Sequence, residues 1–156
     1  METERAKDYE VVEFRPEYQD QIIDLISKAL RDQKVIPDDT ESIDDEDLRN
    51  IPQIYSGRSQ FWVAIEDSKV IGTIAVRDMG ESIAKLKRMF VSSEYHGTGI
   101  GQSLLSQALT FARQKGFKEV TLNTHPLMKR AHNFYEKNGF QKTREDKDGV
   151  SYKMYL

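Results

Sequence analysis

The chain has 156 residues, of which 38% are hydrophobic and 31% charged, and its formal net charge at pH 7 is −3. These values are typical of one folded domain, expected over residues 1–156, and argue against a disordered chain or a nucleic-acid partner. No apolar stretch approaches the ~20 residues of a membrane-spanning helix, and no signal peptide is visible, so a cytoplasmic protein without a membrane partner is expected. The absence of cysteine excludes thiolate chemistry, and the three histidines lack metal-site spacing, so no metal is expected.

The N-terminal third predicts one strand and two helices. Residues 9–14 are rich in β-branched and aromatic side chains, which predicts a strand. Pro16 stands where a first helical residue is favoured, and apolar residues then recur at helical spacing, which predicts a helix over 16–31. A second, weaker helix is predicted near 44–55, and Pro52 leaves its end open.

Three strands are predicted next. Two apolar runs, 59–67 and 69–78, are joined by a polar turn, which predicts a hairpin. A third strand is predicted over 82–92, and its charged stretch KLKR (85–88) is interpreted as alternating strand charge. The apolar triplet Met89-Phe90-Val91 interrupts the alternation, which either a β-bulge or a strand end buried on both faces would explain.

The C-terminal half alternates helices and strands. An apolar stripe that begins at Leu104 predicts a helix, and Gly116 is expected just after its end. The remaining predicted elements are a strand over 118–124, a helix from Pro126 through Lys137, and a hairpin of strands 140–146 and 150–156. The order β-α-α-β-β-β-α-β-α-β-β predicts a mixed α/β fold, an antiparallel meander followed by a β-α-β unit.

Three alternating glycines, Gly97, Gly99 and Gly101, stand directly before the helix that contains Leu104. A helix N-terminus offers free backbone N–H groups to anions, and glycines let a phosphate approach them without a Cβ in the way. A flexible turn is the alternative interpretation. The spacing fits neither a Walker A loop, which needs a lysine after the glycines, nor the G-x-G-x-x-G dinucleotide fingerprint.

Two motifs resemble the GNAT N-acetyltransferase superfamily. The stretch VSSEYHGTGIGQSLL (91–105) resembles its pyrophosphate loop, with His96 where arginine or glutamine is usual, and AHNFYEKNGF (131–140) resembles its A-x-x-F-Y-x-x-x-G-F segment. The resemblance implies a GNAT-like fold, a central, mostly antiparallel twisted sheet of about seven strands with about four helices. It also implies an acetyl-CoA-dependent N-acetyltransferase that uses acetyl-CoA or coenzyme A as co-substrate and a small-molecule or peptide amine as acceptor, the amine attacking the thioester directly.

The resemblance further implies where coenzyme A binds. Its pyrophosphate is expected on the backbone N–H groups of residues 97–103, and its pantetheine arm beside the strand that ends at Val91. The expected cofactor-binding residues are Met89, Phe90, Val91, His96, Gly97, Thr98, Gly99, Ile100, Gly101, Gln102, Ser103 and Asn133.

Tyr135 is the expected catalytic acid, since by resemblance it points at the sulfur of the leaving thiolate. The alternative is an ordinary core aromatic whose hydroxyl bonds a neighbour. A general base is harder to assign, because Lys85 stands where many members of the family carry a glutamate. The candidates are Asp78, Glu81, His125, or water relayed through backbone carbonyls.

Two further hypotheses concern partners. The run 38–47 holds seven acids and no base, so it would steer a cationic acceptor by its negative potential, or simply be a solvated loop with helix-start charges. A homodimer through the C-terminal strand is also considered. The functional alternative to an enzyme is a non-catalytic module that binds acetyl-CoA as a sensor or structural ligand.

Overall fold

In the computed structural model, residues 8–156 are described, and they form seven strands and five α-helices. Residues 1–7, the start of the segment in which no signal peptide is expected, lie outside the described residues. The strands are β1 (Glu10–Glu13), β2 (Gln60–Glu66), β3 (Lys69–Asp78), β4 (Ile83–Val91), β5 (Glu119–Thr124), β6 (Gln141–Asp146) and β7 (Gly149–Tyr155). The helices are α1 (Gln19–Asp32), α2 (Glu46–Arg49), α3 (Ile51–Ile54), α4 (Ile100–Gln114) and α5 (Lys129–Lys137), and short 3₁₀ turns span Pro16–Tyr18 and Ser93–Tyr95.

The strands form one sheet in the order β1-β2-β3-β4-β5-β7-β6, in which only the β4–β5 pair is parallel among the described strands. This confirms the predicted mixed α/β fold. The C-terminal strand, however, is not at an edge, because β7 inserts between β5 and β6 through a hairpin whose turn is Lys147-Asp148. The edge strands are β1 and β6, so the structural basis for a dimer through β7 is wrong, and dimerisation itself stays a prediction.

Two predicted helices differ from the structure. The helix predicted over 44–55 is divided into α2 and α3, because Asn50 leaves the helical conformation (φ −133°, ψ 41°) and Pro52 has no N–H with which to continue the ladder. Helix α5 begins at Lys129 rather than at Pro126. The residues before it form a turn instead, in which the Leu127 N–H donates to the His125 Nδ1 at 3.1 Å.

The sheet separates two hydrophobic cores. One lies against α4 and α5 and draws on strands across the sheet, including Val120 of β5 and Tyr152 of β7. The other lies against α1, α2 and α3, and its strand residues come from β1 to β4, with Phe61 fully buried. On that second face β5 and β7 present polar side chains such as Asn123 and Ser151.

Strand β4 contains an irregularity close to the point where its pairing with β5 ends. Its register with β3 shifts between Thr73 and Ala75, and Arg88 has a φ of +56°, which identifies a β-bulge and confirms that interpretation of the apolar triplet. Pairing with β5 covers only the three residues up to Lys85, opposite Thr121. The two strands therefore diverge beyond Lys85 and open a cleft in the middle of the sheet. No helix between residues 8 and 156 is long and apolar enough to span a bilayer.

Candidate active site

A cleft of about 1130 Å³ lies where β4 separates from β5. It runs from α1 past the C-terminal half of β4 to the start of α4 and the first turns of α5. Nine of the residues expected to bind the cofactor line it, namely Met89, Phe90, Val91, His96, Gly97, Gly99, Gly101, Gln102 and Asn133, together with the predicted acid Tyr135.

The glycine loop presents bare backbone to this cleft. Gly97 and Gly99 have φ values of +79° and +92°, and a Cβ built on either would meet no atom within 4 Å. Glycine is favoured at both positions because it adopts positive φ without steric cost. Among residues 8–156, no partner accepts a hydrogen bond from five backbone N–H groups at this end of α4, those of Gly97, Gly99, Ile100, Gly101 and Gln102. Free N–H groups at a helix N-terminus form an anion site.

Three expected cofactor residues do not line the cleft. The Ser103 N–H already donates to the Gly99 carbonyl at 3.0 Å, and its hydroxyl bonds Tyr9 in a separate depression. The Ile100 side chain is fully buried in the core. The Thr98 N–H and hydroxyl both donate to the Tyr95 carbonyl. The anion site therefore has fewer free N–H groups than the seven expected from residues 97–103, because a turn bond and a helix bond already occupy two of them.

His96 ties the loop to the end of β4. Its Nε2 lies 3.0 Å from the Val91 carbonyl oxygen, which can only accept, so this ring nitrogen is the donor. The side chain is exposed. It therefore braces the loop, in contrast to an arginine, whose guanidinium would pair with phosphate directly.

Tyr135 enters the cleft from α5. The residue is 6% exposed, and burial raises the pKa of its phenol well above the ordinary value of 10.0. Within residues 8–156 its hydroxyl has no hydrogen-bond partner, yet no buried side-chain oxygen or nitrogen there is unsatisfied, so the Tyr135 oxygen must be open to the cleft. This geometry favours the catalytic interpretation over that of a core aromatic bonded to a neighbour.

None of the three side chains considered as a base lines the cleft. Asp78 pairs with Ala84 at the opposite end of β4 from Val91, and its Oδ1 accepts from the Gly80 N–H at 2.9 Å. Glu81 lies in the same turn. His125 stabilises the turn before α5 through its Nδ1.

The structure adds residues of α1 that sequence reasoning missed. Gln21, Asp24, Leu25 and Lys28 form part of the cleft wall. Their only sequence signal is that they flank the buried stripe of an amphipathic helix, which is equally typical of a solvated face.

A cluster of ionic contacts lies beside the bulge of β4, on the face that carries α2. The Arg88 guanidinium contacts Asp45 at 2.8 Å and Asp47 at 2.6 and 3.0 Å, and the Tyr55 hydroxyl donates to Asp47 at 2.7 Å. Burial alone would raise the pKa of Asp47, but the hydrogen bonds from Arg88 and Tyr55 outweigh it and lower the pKa below its ordinary value. The bulge of β4 is thereby fastened to the segment that precedes α2.

These contacts also change the picture of the acidic run. Four of its seven acids are in ion pairs: Asp45 and Asp47 with Arg88, Asp38 with Lys34, and Asp44 with Arg49. The run consequently presents less free negative charge than its sequence implies. Steering of a cationic acceptor stays untested.

Comparisons with known proteins identify the family of this chain. The family model "Acetyltransferase (GNAT) domain" matches residues 57–142, more than half of the chain. Mouse N-acetyltransferase 8 is 40% identical over 106 residues, which are 64% of this chain and 47% of that protein. The chain thus spans about half the length of the curated relatives it matches.

Solved structures agree on the fold. An acetyltransferase from Streptococcus agalactiae is 28% identical, covers 96% of this chain and 99% of its own, and superposes with a TM-score of 0.86. The PaiA N-acetyltransferase from Thermoplasma acidophilum, crystallised with coenzyme A, is similar in fold: it is 22% identical, covers 95% of this chain and 99% of its own, and has a TM-score of 0.75. The chain belongs to the GNAT acetyltransferase domain family.

Proposed function

We propose that this chain transfers the acetyl group of acetyl-CoA to an amine. One observation carries the proposal: four residues with unpaired backbone N–H groups, Gly97, Gly99, Gly101 and Gln102, line the same cleft as Tyr135, whose hydroxyl is open. The first set suits a diphosphate, and the second suits the group that leaves when a thioester is cleaved. Membership of the GNAT family supports this combination.

The cleft has the chemistry to hold coenzyme A along β4. The Ser92 N–H bonds Ile71 of β3, and in an antiparallel ladder the peptide groups of alternate residues point to opposite sides. Met89 and Val91 therefore direct their peptide groups towards β5, where the ladder has already ended. An arm that contains amides would complete the bonds of Met89 and of the Val91 N–H, since the Val91 carbonyl already accepts from His96, while its diphosphate lies on the N–H groups of the glycine loop.

In the proposed reaction, the amine, a backbone N–H of β4 and Tyr135 each have a distinct role. The amine nitrogen attacks the thioester carbonyl carbon, a C–N bond forms, and the oxyanion is stabilised by a backbone N–H near Met89-Phe90. The C–S bond then breaks, and Tyr135 gives its phenolic proton to the departing sulfur. The nitrogen releases its extra proton to water, and solvent restores the proton of Tyr135.

Of the bases considered from the sequence, only water remains, because Asp78, Glu81 and His125 lie outside the cleft. We infer that water removes the proton from the amine. Such a site favours acceptors that already carry a large free-amine fraction near neutral pH. The α-amino group of a peptide, with a pKa of about 8, meets this condition best. An α-amino group beside a free carboxylate meets it less well, because the negative charge raises the amine pKa, and a lysine side chain, with a pKa of about 10.4, meets it least. The rate at fixed total amine should then rise with pH through the pKa of the acceptor.

The test combines binding with turnover. Acetyl-CoA binding is measured by calorimetry, and release of free coenzyme A is measured with a panel of amines. Binding together with amine-dependent thiol release supports the proposal. Binding without release from any amine would instead support the acetyl-CoA sensor, and absence of binding would contradict both functions.

A further inference from the structure

A group of cationic side chains lies on the face of β4 that is turned towards α2, opposite to the face that packs against α4 and α5. The bulge places two consecutive residues, Lys87 and Arg88, on this face, and Lys85 and Arg77 of β3 lie beside them. Arg88 is neutralised by Asp45 and Asp47. Within residues 8–156, neither Lys87 nor Arg77 has an ion pair or a side-chain hydrogen bond.

Lys87 is the unusual member of this group. It is half-buried, and burial, reinforced by Arg88, Lys85 and Arg77, lowers its pKa against the opposing effect of Asp47. The carboxylate of Asp47 is already bound by Arg88 and Tyr55. A half-buried ammonium without its own counterion is unfavourable in the free protein, and an anionic ligand would relieve this.

Lys85, in contrast, is held in place. With the Asn123 amide oriented to satisfy both of its ends, its oxygen accepts from Lys85 Nζ at 3.0 Å and its nitrogen donates to Ser151 Oγ at 2.8 Å. Arg144 Nε reaches the same Ser151 hydroxyl at 3.2 Å. Polar groups of β5, β6 and β7 thus continue the cationic surface beside the point where the β4–β5 pairing ends, next to the cleft but outside the residues that line it.

We infer that Lys87, supported by Lys85 and Arg77, binds a carboxylate of the acceptor, so that the acceptor is an amine that also bears a carboxylate, such as an α-amino acid. This inference rests on the proposed acetyl transfer. Lys87 precedes Met89 by two residues across the bulge, less than about 7 Å along the strand, and lies on the face opposite to the core in which Met89 packs. A carboxylate held there is only a few bonds from an amine placed at the acetyl carbonyl.

The test uses acceptors that differ only in the anionic group. Phenylalanine and leucine are compared with their primary amides, with rates expressed per free amine so that the different amine pKa values do not enter. We expect kcat/KM to favour the carboxylates by roughly tenfold or more, the usual effect of a hydrogen bond to a charged group.

Variants assign this preference to Lys87. Lys87→Met should raise KM for phenylalanine, leave KM for its amide and for acetyl-CoA nearly unchanged, and abolish the preference, whereas Lys87→Arg should retain it. Lys118→Met removes an exposed lysine at the far end of β5 and should change nothing. A full preference in folded Lys87→Met would overturn the assignment to Lys87.

A binding measurement separates this inference from the proposed function. N-acetylphenylalanine and N-acetylphenylalaninamide are titrated into the wild-type protein saturated with coenzyme A, which requires no turnover. Tighter binding of the carboxylate supports the inference even if no acetyl transfer is detected. Equal binding of the two products, or a faster transfer to the amides per free amine, overturns the inference and leaves acetyl transfer intact.

Discussion

The glycine loop and the surface around the bulge of β4 are built from different chemical groups. On the side of α4, the glycine loop offers backbone N–H groups that lie within six consecutive residues, 97–102. Next to the cleft, on the face of α2, the surface around the bulge is made of side chains from four separate segments, among them Asp47, Arg77, Lys87 and Asn123, none of which lines the cleft itself. The first side suits a ligand part that all members of a fold family share, and the second suits a part that differs.

This difference has an energetic counterpart. The backbone groups on the α4 side are positioned by helix geometry, so few single substitutions there remove them. The acceptor side depends on the Arg88–Asp47 contact, in which both side chains are largely buried. Removing one partner from such a pair exposes the other to an unfavourable environment. We therefore expect substitutions on the α4 side to affect the cofactor, and those at the bulge to affect stability and the acceptor.

Tyr135→Phe should have the largest effect, because it removes the only proton donor assigned to the reaction. We expect kcat to fall by about 10²–10⁴-fold, the usual share of general acid catalysis, with KM for acetyl-CoA nearly unchanged. Steady-state kinetics with a saturating amine measure this. A Tyr135→Phe protein with full activity would remove the residue from the mechanism.

Gly99→Glu should break the cofactor side selectively. The new side chain has open space in the cleft, and its charge would stand beside the coenzyme A phosphates. We expect a loss of about 3 kcal/mol, or roughly 100-fold in acetyl-CoA affinity, by calorimetry.

Gly80→Glu is the matched control for this experiment. Gly80 has a similar φ of +86° and open surroundings, but it lies in the β3–β4 turn outside the cleft. Backbone strain is thus comparable, and affinity should stay at the wild-type value. Unchanged affinity in folded Gly99→Glu would contradict coenzyme A binding at this loop.

Asp47→Asn should lower the free energy of unfolding by about 2 kcal/mol at pH 7, because Arg88 loses a largely buried counterion. Asp44→Asn, which removes an exposed pair with Arg49, should cost no more than about 0.5 kcal/mol. Denaturant unfolding of both variants measures these differences. Equal effects would show that burial of the Arg88–Asp47 pair is unimportant.

The same variant predicts a pH dependence. The pKa of Asp47 is lower in the folded state, so its contribution is fully present above the ordinary value of 3.8 and is lost as the pH falls through the lowered value. The stability difference between wild type and Asp47→Asn should therefore be constant above pH 5 and shrink below about pH 3.8. A difference that grows on acidification would contradict this assignment.

The smallest effect is expected from the acidic run. Replacing Asp38, Asp39 and Glu41 by the corresponding amides leaves the acids that bind Arg88 in place. If the acceptor carries a carboxylate, its KM should fall, by less than about twofold and only at low ionic strength, because exposed charges are screened by salt. A rise in KM would instead favour the cationic acceptor considered from the sequence.

Most elements of the fold were predictable because their signals are local. The paired apolar runs gave the β2–β3 hairpin, and the stripe from Leu104 gave α4 with Gly116 after its end. Errors occurred where one side chain redirects a turn. Asn50 and Pro52 divide the second helix, and His125 delays the start of α5. Such local bonds have no periodicity from which they could be detected.

By itself, the sequence determined the glycine loop and the helix start on the α4 side of the cleft, where we propose that the cofactor binds. Consecutive residues specify a helix start, and the amides of that start point the same way wherever the helix is packed, so Gly97–Gly101 were sufficient. Only the tertiary structure decided the surface around the bulge, where we propose that the acceptor binds. The sheet register and the bulge bring Asp47, Arg77 and Lys87 together across large separations in the chain, and side-chain contacts of that kind leave no local pattern.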